Sequence, residues 1–185
     1  NFAAETHVDR SILDPEAFLR TGVIGVHVLL EAIRAEAAKD RSIRFLQVST
    51  DEVYGDIPDG HSVETDPLAP RSPYAAAKAS SELLVRAYHI TYGLDVVMTR
   101  GSNTYGPYQH PEKLIPLFTT NALAGEPLPM YGDGMQVRDW LHVSDHAAGI
   151  EFVLRHGVSG EAYNVAGAKL LPNREVIGLL LEAAG

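Results

Sequence analysis

The chain has 185 residues, of which 45% are hydrophobic, enough for one packed domain or for one domain and part of another. Its formal net charge of −9, from 15 basic and 24 acidic residues, argues against nucleic acid or an anionic membrane as the main partner. The sequence has no cysteine and no apolar run of transmembrane length. These features predict a globular cytoplasmic protein without a disulfide framework or a thiol nucleophile.

Both ends of the sequence have the character of interrupted elements. Residues 1–4 resemble the last residues of a strand, and residues 182–185 stop where a helix would end. We therefore expect the chain to be an internal part of a longer protein.

The first predicted helix follows a polar turn at residues 5–11. Asp14 as N-cap and Pro15 at the first helical position form a strong helix start, and the helix continues to about Lys39. Apolar residues surround much of its circumference up to Arg34, which predicts burial on two sides. One side would face a sheet and the other a second subunit.

The next segments alternate regularly between strand and helix. They are a strand at 43–49, a loop rich in Pro, Asp and Gly at 56–71, a helix that Ser72 and Pro73 begin and Gly93 ends, and a strand at 94–99. This pattern predicts an α/β fold with a parallel sheet. The loop is a common kind of place for a substrate rim.

The second half lacks this alternation and predicts a smaller mixed α/β lobe. Its elements are a helix at 113–125, short strands at 128–131 and 137–143, a helix from Ser144 or Asp145 to about His156, a strand at 162–165 and a helix capped by Asn173. His142 and His146 lie four residues apart, but no third ligand accompanies them, so we predict two ordinary polar residues and no metal site.

A hydroxyl and two carboxylates follow the strand at 43–49. Thr50, Asp51 and Glu52 lie where an open α/β sheet usually binds its ligand. Adjacent carboxylates at such a position either lie in solvent or have different pKa values and act as acid and base. The ordered sequence that follows, residues 53–55, favours the second interpretation.

Tyr74 and Lys78 share one helix face, because they are four residues apart. A phenol with an ordinary pKa near ~10 is a poor base at neutral pH, and a neighbouring ammonium lowers that pKa. The alternative is an exposed tyrosine and a solvated lysine. Because the helix follows the strand that ends in Ser49 and Thr50, we expect one hydroxyl to bind the substrate oxygen that Tyr74 deprotonates.

Most of the chain resembles the extended short-chain dehydrogenase/reductase family, and within it the dTDP-glucose 4,6-dehydratases. The stretches that carry the resemblance are residues 1–11, 48–56, 72–94, 99–117, 128–147 and 161–167. The Thr-Asp-Glu triplet at 50–52 is the specific part, since the related epimerases lack both carboxylates. The resemblance implies a Rossmann-like NAD-binding domain at 1–107 and an interleaved substrate-binding lobe at 108–185.

The resemblance also implies the reaction, a lyase-type conversion of dTDP-glucose to its 4-keto-6-deoxy product. Tyr74 takes the C4 hydroxyl proton while Thr50 orients that oxygen, and hydride passes to NAD. Glu52 removes the C5 proton, Asp51 protonates the leaving C6 hydroxyl, and the hydride returns to C6. Lys78 lowers the tyrosine pKa and holds the nicotinamide ribose.

Further contacts are implied residue by residue. Those to NAD are Ala3, Ala4, Thr21, Ser49, Tyr74, Lys78 and Thr104. Those to the nucleotide sugar are His7, Thr50, Asn103, Glu112, Lys113, Leu128, Pro129, Met130, Arg138 and Asn173. Arg138 suits a diphosphate because its planar fork matches phosphate oxygens; the alternative is a structural salt bridge with Asp139. A homodimer through helices 14–39 and 73–92 is expected.

The sequence departs from the family pattern at several points. The glycine-rich phosphate loop would lie upstream of Asn1, so we expect the isolated chain not to bind NAD tightly, and an inactive fragment is one of the alternatives. Thr104 stands where the family usually has Asn, and Gly22 where it has Asn after Thr21. The alternatives are a nucleotide-sugar epimerase or decarboxylase of the same fold, and a non-catalytic nucleotide-sugar-binding relative.

Overall fold

In the computed structural model, which describes residues 1–167 and 169–185, the chain divides into two units. The first unit comprises residues 1–101 and 148–165, and the second comprises residues 102–147 and 166–185. The assignment of a cofactor-binding role to residues 1–107 and a substrate-binding role to residues 108–185 stays a prediction.

A parallel sheet lies at the centre of the first unit. Its strands are β1 (Phe45–Thr50), β2 (Val96–Gly101) and β5 (Ala162–Val165), in the order β1-β2-β5. Thr50 pairs with Gly101, so the carboxyl ends of β1 and β2 meet at one edge of the sheet. The predicted α/β architecture with a parallel sheet is confirmed.

Helices cover both faces of this sheet. They are α1 (Val8–Leu13), α2 (Pro15–Leu19), α3 (Gly25–Ala37), α4 (Pro73–Tyr92) and the part of α6 (Val143–His156) from residue 148 onward, with a π-helical turn (Arg20–Ile24) joining α2 to α3. On one face, Leu30 of α3 and Val85 of α4 pack with Val96. On the other face, Ile150 and Val153 of α6 pack with β1 and β2. The result is a three-layer core.

The ends of α4 follow directly from the sequence. The Ser72 hydroxyl accepts a hydrogen bond from the Ala75 N–H at 3.1 Å, and Pro73 is the first helical residue. Gly93 ends the helix in the left-handed region, at φ 67°, and its N–H donates to the His89 carbonyl. Both predicted caps are confirmed.

The structure corrects the prediction for the segment before α2. Residues 8–13 form α1, whereas the sequence predicts a polar turn at 5–11. Ser11 explains the difference: it is fully buried, its hydroxyl donates to the Val8 carbonyl at 2.6 Å, and α1 packs against α4. Asp14 makes no side-chain cap, so the predicted capping bond is wrong.

The second unit contains a small mixed sheet in the order β3-β4-β6. Strand β3 (Asn103–Tyr105) is parallel to β4 (Val137–His142), and β6 (Leu170–Pro172) is antiparallel to β4. Helices α5 (Leu114–Ala124) and α7 (Asn173–Ala184) pack against each other. The predicted smaller mixed lobe is confirmed in its secondary structure.

Two details of this unit differ from the prediction. Residues 128–131 do not form a strand, because the Met130 N–H donates to the Leu128 carbonyl at 2.9 Å and folds the segment into a tight turn. Asn173 is the first residue of α7 and not its cap, a position that Pro172 occupies.

No helix in the described part of the chain has the length and apolarity that a bilayer span requires. Within residues 1–167 and 169–185, no group of three or more His, Asp or Glu side chains is arranged to hold a metal ion.

Candidate active site

The candidate site is centred on the turn that follows β1. Thr50 caps a 3-10 turn (Asp51–Tyr54), because its hydroxyl accepts from the Glu52 N–H at 3.3 Å. The same hydroxyl lies 3.2 Å from the Asp51 carboxylate. Gly55 ends the turn at φ 82°, and a side chain there would overlap the Ala69 carbonyl. The turn thereby keeps a hydroxyl and two half-buried carboxylates together.

Helix α4 brings Tyr74 and Lys78 to the same strand end. The Tyr74 hydroxyl is hydrogen-bonded to Thr50, and the Lys78 ammonium donates to the Val48 carbonyl at 3.0 Å. Phe18 packs edge-on against the Tyr74 ring, with the centroids 6.3 Å apart. The structure therefore brings together all five residues that the sequence assigns to catalysis.

The electrostatics differ from the sequence-based expectation. Burial raises the pKa of Tyr74 above its ordinary range, Glu52 and Asp51 raise it further, and the hydrogen bond with Thr50 opposes them. Burial also lowers the pKa of Lys78 to about 8, against the influence of Glu82. The Thr50 hydroxyl is thus one influence that lowers the tyrosine pKa, and the lowering by Lys78 stays a prediction.

The cofactor candidates of the first unit occupy three places. Ser49 precedes Thr50 on β1, and its buried hydroxyl oxygen has no hydrogen-bond partner within the described residues. Ala3 and Ala4 lie in the segment that precedes α1. At the start of this segment, the Asn1 carbonyl accepts a hydrogen bond from the Val48 N–H of β1. Thr21 is exposed in the π-helical turn. Ser49 follows Val48, whose carbonyl binds Lys78. A bound polar group would supply the hydrogen-bond partner that the buried Ser49 hydroxyl lacks.

Gly22 has a packing explanation. It is buried in the π-helical turn, and a Cβ added there would lie only 3.2 Å from the Ala77 Cβ on α4. The glycine therefore permits a close approach of the π-helical turn to α4.

Three further candidates are divided between the two units. His7 precedes α1 in the first unit, and its Nδ1 is buried without a hydrogen-bond partner in the described chain. In the second unit, the Thr104 hydroxyl lies 2.7 Å from Nδ1 of His146, a residue that burial keeps at a lowered pKa. Asn103 precedes Thr104 on β3 and pairs with Trp140.

The remaining substrate candidates belong to the second unit. Arg138 is exposed on β4, and Asn173 is linked to the same strand because its N–H donates to the Gln136 carbonyl at 3.0 Å. Met130 lies beside Gly134 near the start of α7. Met130 and Asn173 thus lie near the segment at 134–136, which leads into β4 and Arg138, and Leu128 and Pro129 directly precede Met130.

Glu112 and Lys113 lie at the start of α5. The alternative pairing of Arg138 with Asp139 is not what the described residues show. Adjacent strand residues point to opposite faces, and Asp139 accepts instead from the Gly167 N–H at 2.6 Å.

Sequence reasoning missed a buried polar cluster below the turn, formed by Tyr54, Glu82, Arg100 and Asn164. Two signals pointed to it. Glu82 continues the Tyr74 and Lys78 spacing along one face of α4. Arg100 is the one charged residue of β2.

A family model for GDP-mannose 4,6 dehydratase matches residues 1–183. The chain belongs to this family. The dTDP-glucose 4,6-dehydratase of Streptomyces antibioticus is 55% identical over 185 residues, which are 100% of this chain and 54% of the relative. The dTDP-glucose 4,6-dehydratase of Xanthomonas campestris pv. campestris (strain B100) is 58% identical over 184 residues, and the match covers 96% of this chain and 52% of that relative. The resemblance seen in the sequence is confirmed.

Solved structures agree. A double mutant of DesIV, the dTDP-glucose 4,6-dehydratase of Streptomyces venezuelae, crystallised with NAD and DAU bound, has a TM-score of 0.95 to this chain at 53% identity. The similarity covers 98% of this chain and 55% of that one. The chain spans about half the length of the curated relatives it matches.

Proposed function

We propose that the protein to which this chain belongs is a lyase that dehydrates dTDP-glucose to dTDP-4-keto-6-deoxyglucose with bound NAD. The observation that supports this most strongly is the Thr50 hydroxyl, which contacts the Tyr74 phenol and the Asp51 carboxylate in a turn that also carries Glu52. An alcohol base and an acid–base pair within one turn suit an oxidation coupled to an elimination.

Oxidation at C4 is assigned to Tyr74 and Thr50. Thr50 orients the C4 oxygen, and Tyr74 accepts its proton. Since burial and two carboxylates raise the pKa of Tyr74, the proton transfer depends on the interaction with the Thr50 hydroxyl, which lowers that pKa.

Elimination across C5 and C6 is assigned to the two carboxylates. The C4 ketone acidifies the C5 proton, which Glu52 removes, and Asp51 gives a proton to the C6 oxygen so that water leaves. Glu52 then returns its proton to C5 as C6 is reduced. Both carboxylates are half-buried, and the Thr50 hydroxyl lies 3.2 Å from that of Asp51, which supports separate acid and base roles for the pair.

NAD, when bound, supplies the group that takes the C4 hydride and returns it to C6. We assign its contacts to Ser49 and Lys78 beside the turn, and to Ala3, Ala4, Thr21 and Thr104. The unpartnered Ser49 hydroxyl supports this assignment, as does the NAD bound in the Streptomyces venezuelae relative.

The substrate assignment is a nucleoside-diphosphate sugar, dTDP-glucose in the first place. The exposed Arg138 would bind the diphosphate, with Leu128, Pro129, Met130, Asn173, Glu112 and Lys113 around the nucleotide. His7 and Asn103 would contact the sugar or its phosphates, and the unpartnered His7 Nδ1 supports a polar ligand there.

The test is the fate of the sugar in deuterated water. The proposal requires loss of the C6 hydroxyl with one solvent deuterium at C5 of the product. A C4-inverted product that retains its C6 hydroxyl would identify an epimerase, and loss of C6 as carbon dioxide a decarboxylase. Binding of dTDP-glucose without any turnover would identify a non-catalytic relative.

We further propose a homodimer through helices 14–39 and 73–92 in a cytoplasmic protein. Exposed apolar side chains support it: Ile24 and Val28 are each 58% exposed, and Leu83 and Ile90 on α4 are 61% and 72% exposed. Sedimentation should give twice the monomer mass, and Leu83→Glu should give the monomer. A wild-type monomer would contradict the proposal.

A further inference from the structure

A buried ion pair lies between α4 and β2. Arg100 is 7% exposed and Glu82 is 2% exposed. Nε and Nη2 of Arg100 both donate to one carboxylate oxygen of Glu82, at 3.0 and 2.7 Å. The second carboxylate oxygen is buried and has no hydrogen-bond partner in the described residues. The pair therefore fixes the guanidinium through one side of its fork.

The other side of the fork holds Tyr54. Nη1 of Arg100 donates to the Tyr54 hydroxyl at 2.6 Å and to the Glu64 carbonyl at 3.0 Å. The Tyr54 hydroxyl donates in turn to Oδ1 of Asn164 at 2.8 Å, so it is fixed from two directions. The guanidinium carbon also lies 4.8 Å from the centroid of the Tyr54 ring.

Tyr54 is the last residue of the turn that carries Asp51 and Glu52. Its neighbour Val53 is fully buried against Ala79, and the Val53 carbonyl accepts from the Ala69 N–H at 2.9 Å. The last two residues of the turn, Val53 and Tyr54, are thus bound to the core, and the first two, Asp51 and Glu52, carry the carboxylates.

A buried ion pair is costly to desolvate and contributes little net stability compared with apolar packing. Its usual advantage is a fixed geometry, because the guanidinium fork accepts few arrangements of its partners. Here that geometry ends at a turn whose carboxylates need accurate placement for acid–base chemistry.

We infer that Arg100, held by Glu82, is a positioning residue that acts through the Tyr54 hydroxyl to fix the turn that carries Asp51 and Glu52. The catalytic consequence rests on the proposed function, whereas the ordering of the turn does not. The cluster takes no part in the C4 oxidation or the elimination, and it sets where the two carboxylates stand.

The test removes one oxygen atom. Tyr54→Phe keeps the buried ring and deletes the hydroxyl that Arg100 and Asn164 share. Tyr163→Phe is the matched control, since the Tyr163 hydroxyl also has a hydrogen-bond partner, the Val158 N–H at 2.7 Å, but its ring packs with Ile150 and Val153 on the other face of the sheet.

Hydrogen exchange of the turn amides is the first measurement. The amides of Glu52 and Gly55 are hydrogen-bonded within the turn and report directly on its order. In Tyr54→Phe both should exchange about tenfold faster, while the amides of β1 stay protected. Tyr163→Phe should leave them unchanged. Equal exchange in wild type and Tyr54→Phe overturns the inference.

Turnover is the second measurement. Tyr54→Phe should lower kcat for dehydration about tenfold and leave KM for dTDP-glucose unchanged, because only the reacting groups move. Arg100→Lys should act in the same direction, since a single ammonium cannot bind Glu82 and Tyr54 as the fork does. A rise in KM with kcat unchanged would contradict a positioning role. If the wild type does not dehydrate the sugar, the proposed function fails and hydrogen exchange alone decides the positioning of the turn.

Discussion

At the carboxyl end of β1, Thr50 and Lys78 are held by other protein groups, whereas Arg138 and Met130 of the second unit lie exposed. Lys78 is 6% exposed and bound to the Val48 carbonyl, and Thr50 is 7% exposed and bound on both sides. Arg138 and Met130 are exposed, Met130 to 44%. Groups that move protons must stand ready before substrate arrives, while groups that recognise a ligand acquire their partners on binding.

This difference is also one of electrostatics. Burial shifts the pKa of Lys78 downward, so the first unit carries an electrostatic cost while this lysine is charged, and it shifts the pKa of Tyr74 upward, so the resting phenol is neutral. An exposed charge such as Arg138 carries little such cost, because water solvates it until a ligand replaces the water.

The largest expected effect comes from removing the proposed base of the site at the carboxyl end of β1. Glu52→Gln should lower kcat for dehydration by about 10²–10⁴-fold, because the amide cannot accept the C5 proton. The measurement is product formation at saturating dTDP-glucose. Glu151→Gln, at an exposed glutamate paired with Arg155, is the control and should retain full activity. Wild-type turnover in Glu52→Gln would remove this residue from the mechanism.

The next effect tests the cost of burying Lys78. An unfolded lysine has a pKa of 10.5 and the folded one about 8, so the unfolded chain binds more protons between these values. The free energy of unfolding should therefore rise with pH across this window, by about 3 kcal/mol in all. Below pH 8 the full cost is present.

Lys78→Met should abolish that rise, and Lys39→Met at an exposed lysine should retain it. Urea unfolding at pH 8 and pH 10.5 provides the comparison. Parallel pH profiles for wild type and Lys78→Met would show that the lysine is not held at a lowered pKa.

A smaller effect is expected at the exposed side chains around β4 in the second unit. Arg138→Ala should weaken binding of thymidine diphosphate about 10- to 100-fold by calorimetry, because a charged contact to phosphate is lost. The free energy of unfolding should change by no more than about 0.5 kcal/mol, since the side chain is exposed. Arg155→Ala, at another exposed arginine, is the control. Unchanged affinity would place the diphosphate elsewhere.

The smallest expected effect tests how much a helix N-cap contributes to the free energy of unfolding. Ser72→Ala removes the cap of the helix that carries Tyr74 and should cost about 1 kcal/mol of unfolding free energy. Asp14→Ala, also directly before a proline, should cost much less because Asp14 makes no cap bond. Equal losses in urea melts would contradict the difference.

That pair of positions also shows what sequence can and cannot predict. Both Asp14-Pro15 and Ser72-Pro73 carry the same start signal, and only Ser72 makes the bond. The difference lies upstream: Asp14 directly follows α1, so its backbone stays tied to the preceding turn through the Arg10 carbonyl. A local signal identifies the helix, but tertiary packing decides the cap.

The site divides in a similar way. Spacing and position identified Tyr74, Lys78 and the residues of the turn, because i, i+4 geometry and strand ends are local rules. The cluster around Arg100 could not be predicted so directly. It joins residues up to 110 positions apart, Tyr54 and Asn164, and depends on which strands are neighbours in the sheet.

The buried pair of Glu82 and Arg100 has an evolutionary consequence. Replacing either residue alone leaves the other charge buried without its partner, which is strongly destabilising. Single substitutions at these two positions are therefore not expected to be neutral in evolution. Across a family that keeps this turn, we expect the two positions to change together or to stay fixed, while exposed pairs such as Glu151 and Arg155 vary independently.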